Sequence, residues 1–172
     1  MKSGGHIIEP NLHFRRHDSL LYIEEIGERA VVFTLNNLRN FARTYLEIHG
    51  DEFFYIEYER GYRLGLLRFN DTFSHIKDPI DRLKRILEFS EGTGAWHVVE
   101  WDFDPKAKKG YAIIKNSYWA EVLKPFDRPV CHNIAGYLAA IIGRAYGVEL
   151  EAEETECEAK GDKRCYFVIH VI

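Results

Sequence analysis

The chain has 172 residues, a formal net charge of -4, 46% hydrophobic and 14% aromatic residues. That apolar content is enough for one domain with a core of its own, and the mild acidity offers no basic surface to neutralise a row of phosphates, which argues against direct nucleic-acid binding. The longest apolar runs, such as Ile134 to Ile142, are too short for a bilayer, and Met1 to His6 lack a signal-type apolar stretch, so the expectation is a cytoplasmic protein with no membrane insertion.

Residues 1–18 are polar, with Arg15, Arg16, His17 and Asp18 in succession, and read as an N-terminal arm before a single domain over 19–172. Leu20 to Ile26 and Arg29 to Thr34 are short strand-type runs. Leu35 to Ile48 places Leu38, Phe41, Ala42, Tyr45 and Leu46 on one helical stripe that stops at Gly50. Phe53 to Tyr58 and Tyr62 to Phe69, rich in aromatic and branched residues, read as two strands around Gly61. Asp78 and Pro79 open a helix with Ile80, Leu83, Ile86, Leu87 and Phe89 on its apolar face, ending near Gly92 and Gly94.

Trp96 to Phe103 and Gly110 to Lys115 flank the polar turn Asp104 to Lys109 and predict an antiparallel hairpin. Ser117 to Val122 predicts a short helix or turn. Pro129 begins the longest predicted helix, which stops at Gly147. On it Gly136, Ala139, Ala140 and Gly143 share a side, a spacing that admits another backbone closely, here a sheet or a symmetry mate. Val148 to Cys157 and Cys165 to Ile172 are two final strands around Lys160 to Lys163, and the acids from Glu149 to Glu156 alternate as on the exposed face of a strand. The pattern predicts an α+β fold, an antiparallel β-sheet packed by several α-helices. No repeat or linker divides the chain.

Three cysteines are an odd number and few for this length, which disfavours a disulfide framework. They fall in the pattern Cys131-x22-Glu154-x2-Cys157-x7-Cys165. Buried free cysteines commonly serve as small hydrophobes, and that reading competes with a metal site here. A helix N-terminus at Cys131 favours the thiolate, the form that binds metal. Three thiolates with one carboxylate suit zinc better than iron, in a closed and therefore structural site. His132 neighbours Cys131, but adjacent helical residues point apart, which leaves it outside the set.

The runs Pro129 to Cys131, Ala135 to Ala139, Tyr146-Gly147 and Glu154-x2-Cys157-Glu158-Ala159-Lys160-Gly161-Asp162-x2-Cys165-x-Phe167 resemble the 4-vinyl reductase domain family, with the signature region covering about 96–169. The family includes sensor domains of bacterial activators that respond to phenols, proteins of bacteriochlorophyll vinyl reduction and stand-alone archaeal proteins. The resemblance implies a fold similar to vesicle-tethering TRAPP subunits and zinc held by Cys131, Glu154, Cys157 and Cys165. It further implies an apolar pocket for a small hydrophobic or aromatic ligand, and a homodimer. A signal from such a chain passes to a protein partner.

Trp96, Trp101, Tyr118, Trp119 and Phe126 are the candidates for that pocket, since such pockets are largely aromatic with a few polar anchors; plain core is the competing role for them. His97 is either a polar anchor or an exposed strand residue. Gly92-x-Gly94 lacks the strand, turn and third glycine of a dinucleotide site, and no nucleotide, nucleophile or zinc-protease motif occurs, so catalytic residues are not expected. The leading reading is a zinc-containing small-molecule sensor or carrier. An accessory protein or enzyme in tetrapyrrole vinyl reduction and a TRAPP-like interaction module stand as alternatives.

Overall fold

The computed structural model describes residues 12–172. Most of the expected arm, residues 1–11, lies outside them, and the remainder contributes β1 (Phe14–His17), whose residues are all exposed. β1 pairs antiparallel with β2 (Leu20–Ile23), and β2 with β3 (Glu28–Ala30). α1 (Leu35–His49) begins where the Thr34 side chain accepts from the Asn37 amide at 3.3 Å and ends at Gly50, whose φ of 57° suits glycine.

α2 (Glu52–Leu67) occupies the segment expected as two strands, and with 16 residues it exceeds the 15 of α5, so the longest helix is not the predicted one. Aromatic and branched residues favour strands only where a sheet edge offers pairing. Here Phe53, Glu57, Gly61 and Gly65 recur every fourth residue and form the buried stripe of one helix. Gly61 is no turn. A Cβ on it would lie 1.9 Å from the Asn133 carbonyl oxygen, and one on Gly136 would lie 2.1 Å from that of Tyr58, so the two helices cross backbone to backbone where side chains are absent.

A π-type turn (Arg68–Thr72) follows α2. α3 (Pro79–Gly92) is capped by the Asp78 carboxylate, which accepts from the Ile80 and Asp81 amides at 3.0 and 2.9 Å. β4 (His97–Asp104) and β5 (Lys109–Lys115) form the expected hairpin. α4 (Tyr118–Leu123) is capped by Ser117, and α5 (His132–Tyr146) has Cys131 at its N-cap position and left-handed Gly147 at its end. Gly136 and Ala140 of α5 therefore receive α2 rather than the sheet or symmetry mate expected from sequence, whereas Gly143 lies against Val148 and Leu150 where β6 begins, as a sheet contact.

β6 (Leu150–Glu156) and β7 (Cys165–Val171) complete an antiparallel sheet of order β4-β5-β7-β6. Its inner face, including Ala112, Ile114, Ala152, Phe167 and Ile169, joins α5 and α3 in one core. The result is a single α+β domain, and none of the described helices is long and apolar enough to cross a membrane.

Gly61→Ala and Gly136→Ala are each expected to cost about 3 kcal/mol or more, because backbone atoms cannot yield as a flexible side chain does. Urea unfolding of the two variants against the parent checks this.

Candidate metal centre

Three elements deliver the site. Cys131 sits at the start of α5, Glu154 on β6, Cys157 just after β6, and Cys165 opens β7. A register shift in the β6–β7 pairing between Glu154 and Glu156 marks a bulge at Thr155. Before it the strand alternates regularly, so Leu150, Ala152 and Glu154 face inward while Glu151 and Glu153 face solvent. The bulge then re-aims the chain so that Cys157 also faces the interior. One acid of an otherwise exposed series is thereby buried, at 6% exposure.

The loop from Cys157 to Cys165 is built to turn back on the thiols. The Cys157 amide donates to Asp162 Oδ2 at 2.8 Å, and the Lys160 and Asp162 amides donate to the Cys157 carbonyl at 3.0 and 3.2 Å. Gly161 supplies the left-handed backbone, φ 101°, that closes the turn. All three cysteines are free and wholly buried.

The donor atoms of Cys131, Glu154, Cys157 and Cys165 lie within 4.8 Å of one another. Cys131 Sγ is 4.0 Å from Cys157 Sγ and 3.7 Å from Cys165 Sγ. A disulfide needs about 2.05 Å. A tetrahedral ion with Zn–S bonds of about 2.3 Å separates its sulfurs by about 3.8 Å, which is the spacing seen. Glu154 Oε2 accepts from the Cys131 amide at 2.7 Å, whereas Oε1 is buried with no hydrogen-bond partner among the described residues. A buried carboxylate oxygen without a partner is costly unless a cation takes it. The residues present thus fit a zinc ion on both spacing and donor chemistry.

Without a cation the site resists holding its full negative charge. Burial first, then the Cys157 charge, pushes the Glu154 carboxyl up to about 8. Burial pushes Cys131 well above the usual thiol range. Cys157 is held far below that range, chiefly by donation from Cys131 and then Cys165. A divalent ion would stabilise the charged forms of these crowded acidic groups by displacing their protons.

Ser117 Oγ lies 3.1 Å from Cys131 Sγ and is 1% exposed. It caps α4 and holds the Cys131 sulfur from outside the donor set, the kind of contact that orients a ligand. Sequence reasoning assigns Ser117 only to a short helix, since nothing in its spacing ties it to Cys131. His132 stays apart, its ring 4.9 Å from that of Phe54.

The aromatic candidates do not meet in one cavity. Trp96 packs edge-on to Tyr137 at 5.6 Å, Trp119 to Phe53 at 5.7 Å and Phe126 to Phe54 at 5.8 Å. Trp101 is half-buried on β4. Tyr118 alone among them lines a cleft of about 490 Å³ between α4 and the Cys157–Cys165 loop. His97 is exposed and paired with Glu91. Two indole nitrogens, those of Trp96 and Trp119, are buried without a partner among the described residues. Beside Trp119, the buried Glu57 takes hydrogen bonds from Arg60, the shortest 2.6 Å, and the Tyr118 hydroxyl, pushed up to about 12 by burial, also faces Arg60. The strand reading of α2 hides this pair, whose spacing is helical.

Zinc affinity measured by chelator competition is expected to fall by about 10- to 100-fold in Ser117→Ala, the range typical of losing a contact that orients a ligand. Cys157→Ser is expected to lose stoichiometric binding.

The family model of the 4-vinyl reductase domain matches residues 111–171. A search of curated proteins found no match. Among solved structures, the phenol-responsive sensory domain of the transcription activator PoxR, crystallised with phenol, superposes with a TM-score of 0.73 at 14% identity, covering 92% of this chain and 84% of that one. A vinyl-4-reductase family protein from Methanocaldococcus jannaschii gives 0.50 at 16% identity, covering 83% and 84%. Subunit 3 of a trafficking protein particle complex from Naegleria fowleri, covalently bound to palmitic acid, gives 0.47 at 12% identity, covering 81% and 97%. The resemblance read from the cysteine and glycine motifs is therefore met by a 4-vinyl reductase domain match over residues 111–171, which holds Cys131, Glu154, Cys157 and Cys165, within a chain that shares its fold with the PoxR sensory domain.

Proposed function

We propose that this chain is a small-molecule sensor domain with a structural zinc held by Cys131, Glu154, Cys157 and Cys165. The observation that carries the metal assignment is the buried cluster of three thiols around a carboxylate whose Oε1 has no partner among the described residues. Bound zinc supplies a crosslink between the start of α5 and the β6–β7 hairpin. The protein supplies all four donors, so no coordination position is kept for substrate, which favours a structural over a catalytic role.

The sensor reading rests on the family match and on the fold shared with a phenol-responsive domain. The ligand on this reading is a small hydrophobic or aromatic molecule with one hydrogen-bond acceptor. Buried indole N–H groups ordinarily find a partner, and Trp96 and Trp119 each offer one with none among the described residues. Val31, Val32 and Phe33 before α1, and Phe41 and Ile48 on it, are large apolar side chains left exposed, which supports a homodimer that covers them. A cytoplasmic setting agrees with three free thiols.

Removal of zinc by a chelator is expected to lower Tm by on the order of 10 °C or more, because metal-binding energy becomes folding energy in such a site. Differential scanning fluorimetry measures it, and an unchanged Tm after verified metal loss contradicts the structural role. For the ligand, the zinc-loaded chain is titrated with phenol and substituted phenols by calorimetry. Trp96→Phe and Trp119→Phe keep the ring and remove the N–H, and the variant at the indole that meets the ligand is expected to weaken binding about tenfold while the other leaves it unchanged. Absence of binding across the panel counts against an aromatic ligand.

A further inference from the structure

The four-stranded sheet is covered by helices on one side only. Ala112, Ile114 and Phe167 on the inner face are fully buried, whereas the outer face is open among the described residues. Strand order and register place two rows of like pattern across that outer face. One reads Asp102, Tyr111, Val168, Glu153, and the next reads Glu100, Ile113, Tyr166, Glu156. In both, an apolar or aromatic pair on the central strands β5 and β7 lies between carboxylates on the edge strands β4 and β6.

The centre is ordered and partly dry. Tyr111 and Tyr166 stack with centroids 5.9 Å apart and planes within 6° of parallel, and the Tyr111 hydroxyl donates to Glu100. Val168 is 38% exposed. Arg164 pairs with Glu156 and lies over Tyr166, and His170 stands 3.5 Å from Glu151 at one end of the face. Lys109 is at that same end and Lys115 at the other, while the columns between hold the unpaired carboxylates. Glu100, Asp102 and Glu153 have no cationic partner among the described residues.

We propose that this face docks a basic amphipathic helix of a partner protein. The helix would set an apolar stripe on Tyr111, Ile113, Tyr166 and Val168 and its lysines or arginines on the carboxylates at either side. The dimensions agree. Strands spaced roughly 4.8 Å apart put the two carboxylate columns about 14 Å apart, and a helix with its side chains is roughly 10–12 Å across, so basic residues on both flanks reach both columns. A second copy of the same face would oppose carboxylate to carboxylate, and an anionic membrane or nucleic acid would meet the same repulsion. This surface goes beyond the sensor reading and does not depend on what the metal centre or pocket binds.

The test uses the full chain and two labelled synthetic helical peptides in fluorescence anisotropy, one with a leucine stripe flanked by lysines and one with glutamates in their place. Saturable binding of the lysine peptide is expected, weakening with added salt. The glutamate peptide is expected not to bind. The double variant Asp102→Lys with Glu153→Lys should bind the lysine peptide at least about tenfold more weakly while keeping the parent's Tm. If that variant does not fold, Asp102→Asn with Glu153→Gln gives the same comparison, again with weaker binding expected. Equal binding of both peptides, undiminished binding to the folded variant, or no saturable binding by the parent overturns the proposal. Crosslinks joining this face to itself in a second copy overturn it as well.

Discussion

The amide of Cys131 donates to the buried carboxylate of Glu154 at 2.7 Å, and this contact ties the first turn of α5 to the inner face of β6. Much else follows from it. It fixes one carboxylate oxygen and leaves the other among three thiols that the Cys157–Cys165 loop and the Ser117 hydroxyl bring to the same point. A cluster of four acidic donors shut away from water stays compact only if protons or a cation neutralise it. The arrangement is therefore a site whose folding and whose charge balance are one problem, and the positive end of the α5 dipole helps with both.

The second constraint is the backbone crossing of α2 and α5 at Gly61 and Gly136. It places Glu57, Arg60 and the Trp119 ring near the start of α5, only a short distance along the fold from the thiols, and Asn133 ties the crossing further by donating to the Glu57 carbonyl at 3.1 Å. Of the two buried indoles, Trp96 packs on Tyr137 of α5 and Trp119 on Phe53 of α2, so each sits against one of the two helices that cross at the glycines.

That Cys131, Glu154, Cys157 and Cys165 come together is legible in the sequence because three of the four lie close in the chain, at fixed spacing beside a glycine turn. The capped helices and the β4–β5 hairpin are legible for the same reason, each carrying its own start, stop or turn residues, as with Asp78 and Pro79 before α3. What is not legible depends on partners distant in the chain. α2 reads as strands because Phe53, Tyr55, Ile56 and Tyr58 favour strands, and only the docking of α5 turns Gly61 from a breaker into a contact. Ser117 and the Glu57–Arg60 pair escape sequence reasoning since their roles arise from contacts across the fold. Of the aromatic candidates, Tyr118, Trp119 and Phe126 join one cluster through Phe53 and Phe54 while Trp96 packs on Tyr137, and their composition carries no information on where each ring packs.

The most direct measurement is native mass spectrometry of the chain purified without added metal, compared with the same sample after denaturation. The account predicts one zinc per chain in the native spectrum, lost together with the folded charge-state distribution when the chain unfolds. A folded chain of apoprotein mass, with three free thiols that alkylate only after unfolding, would contradict it and leave the cluster as a buried group of neutral side chains.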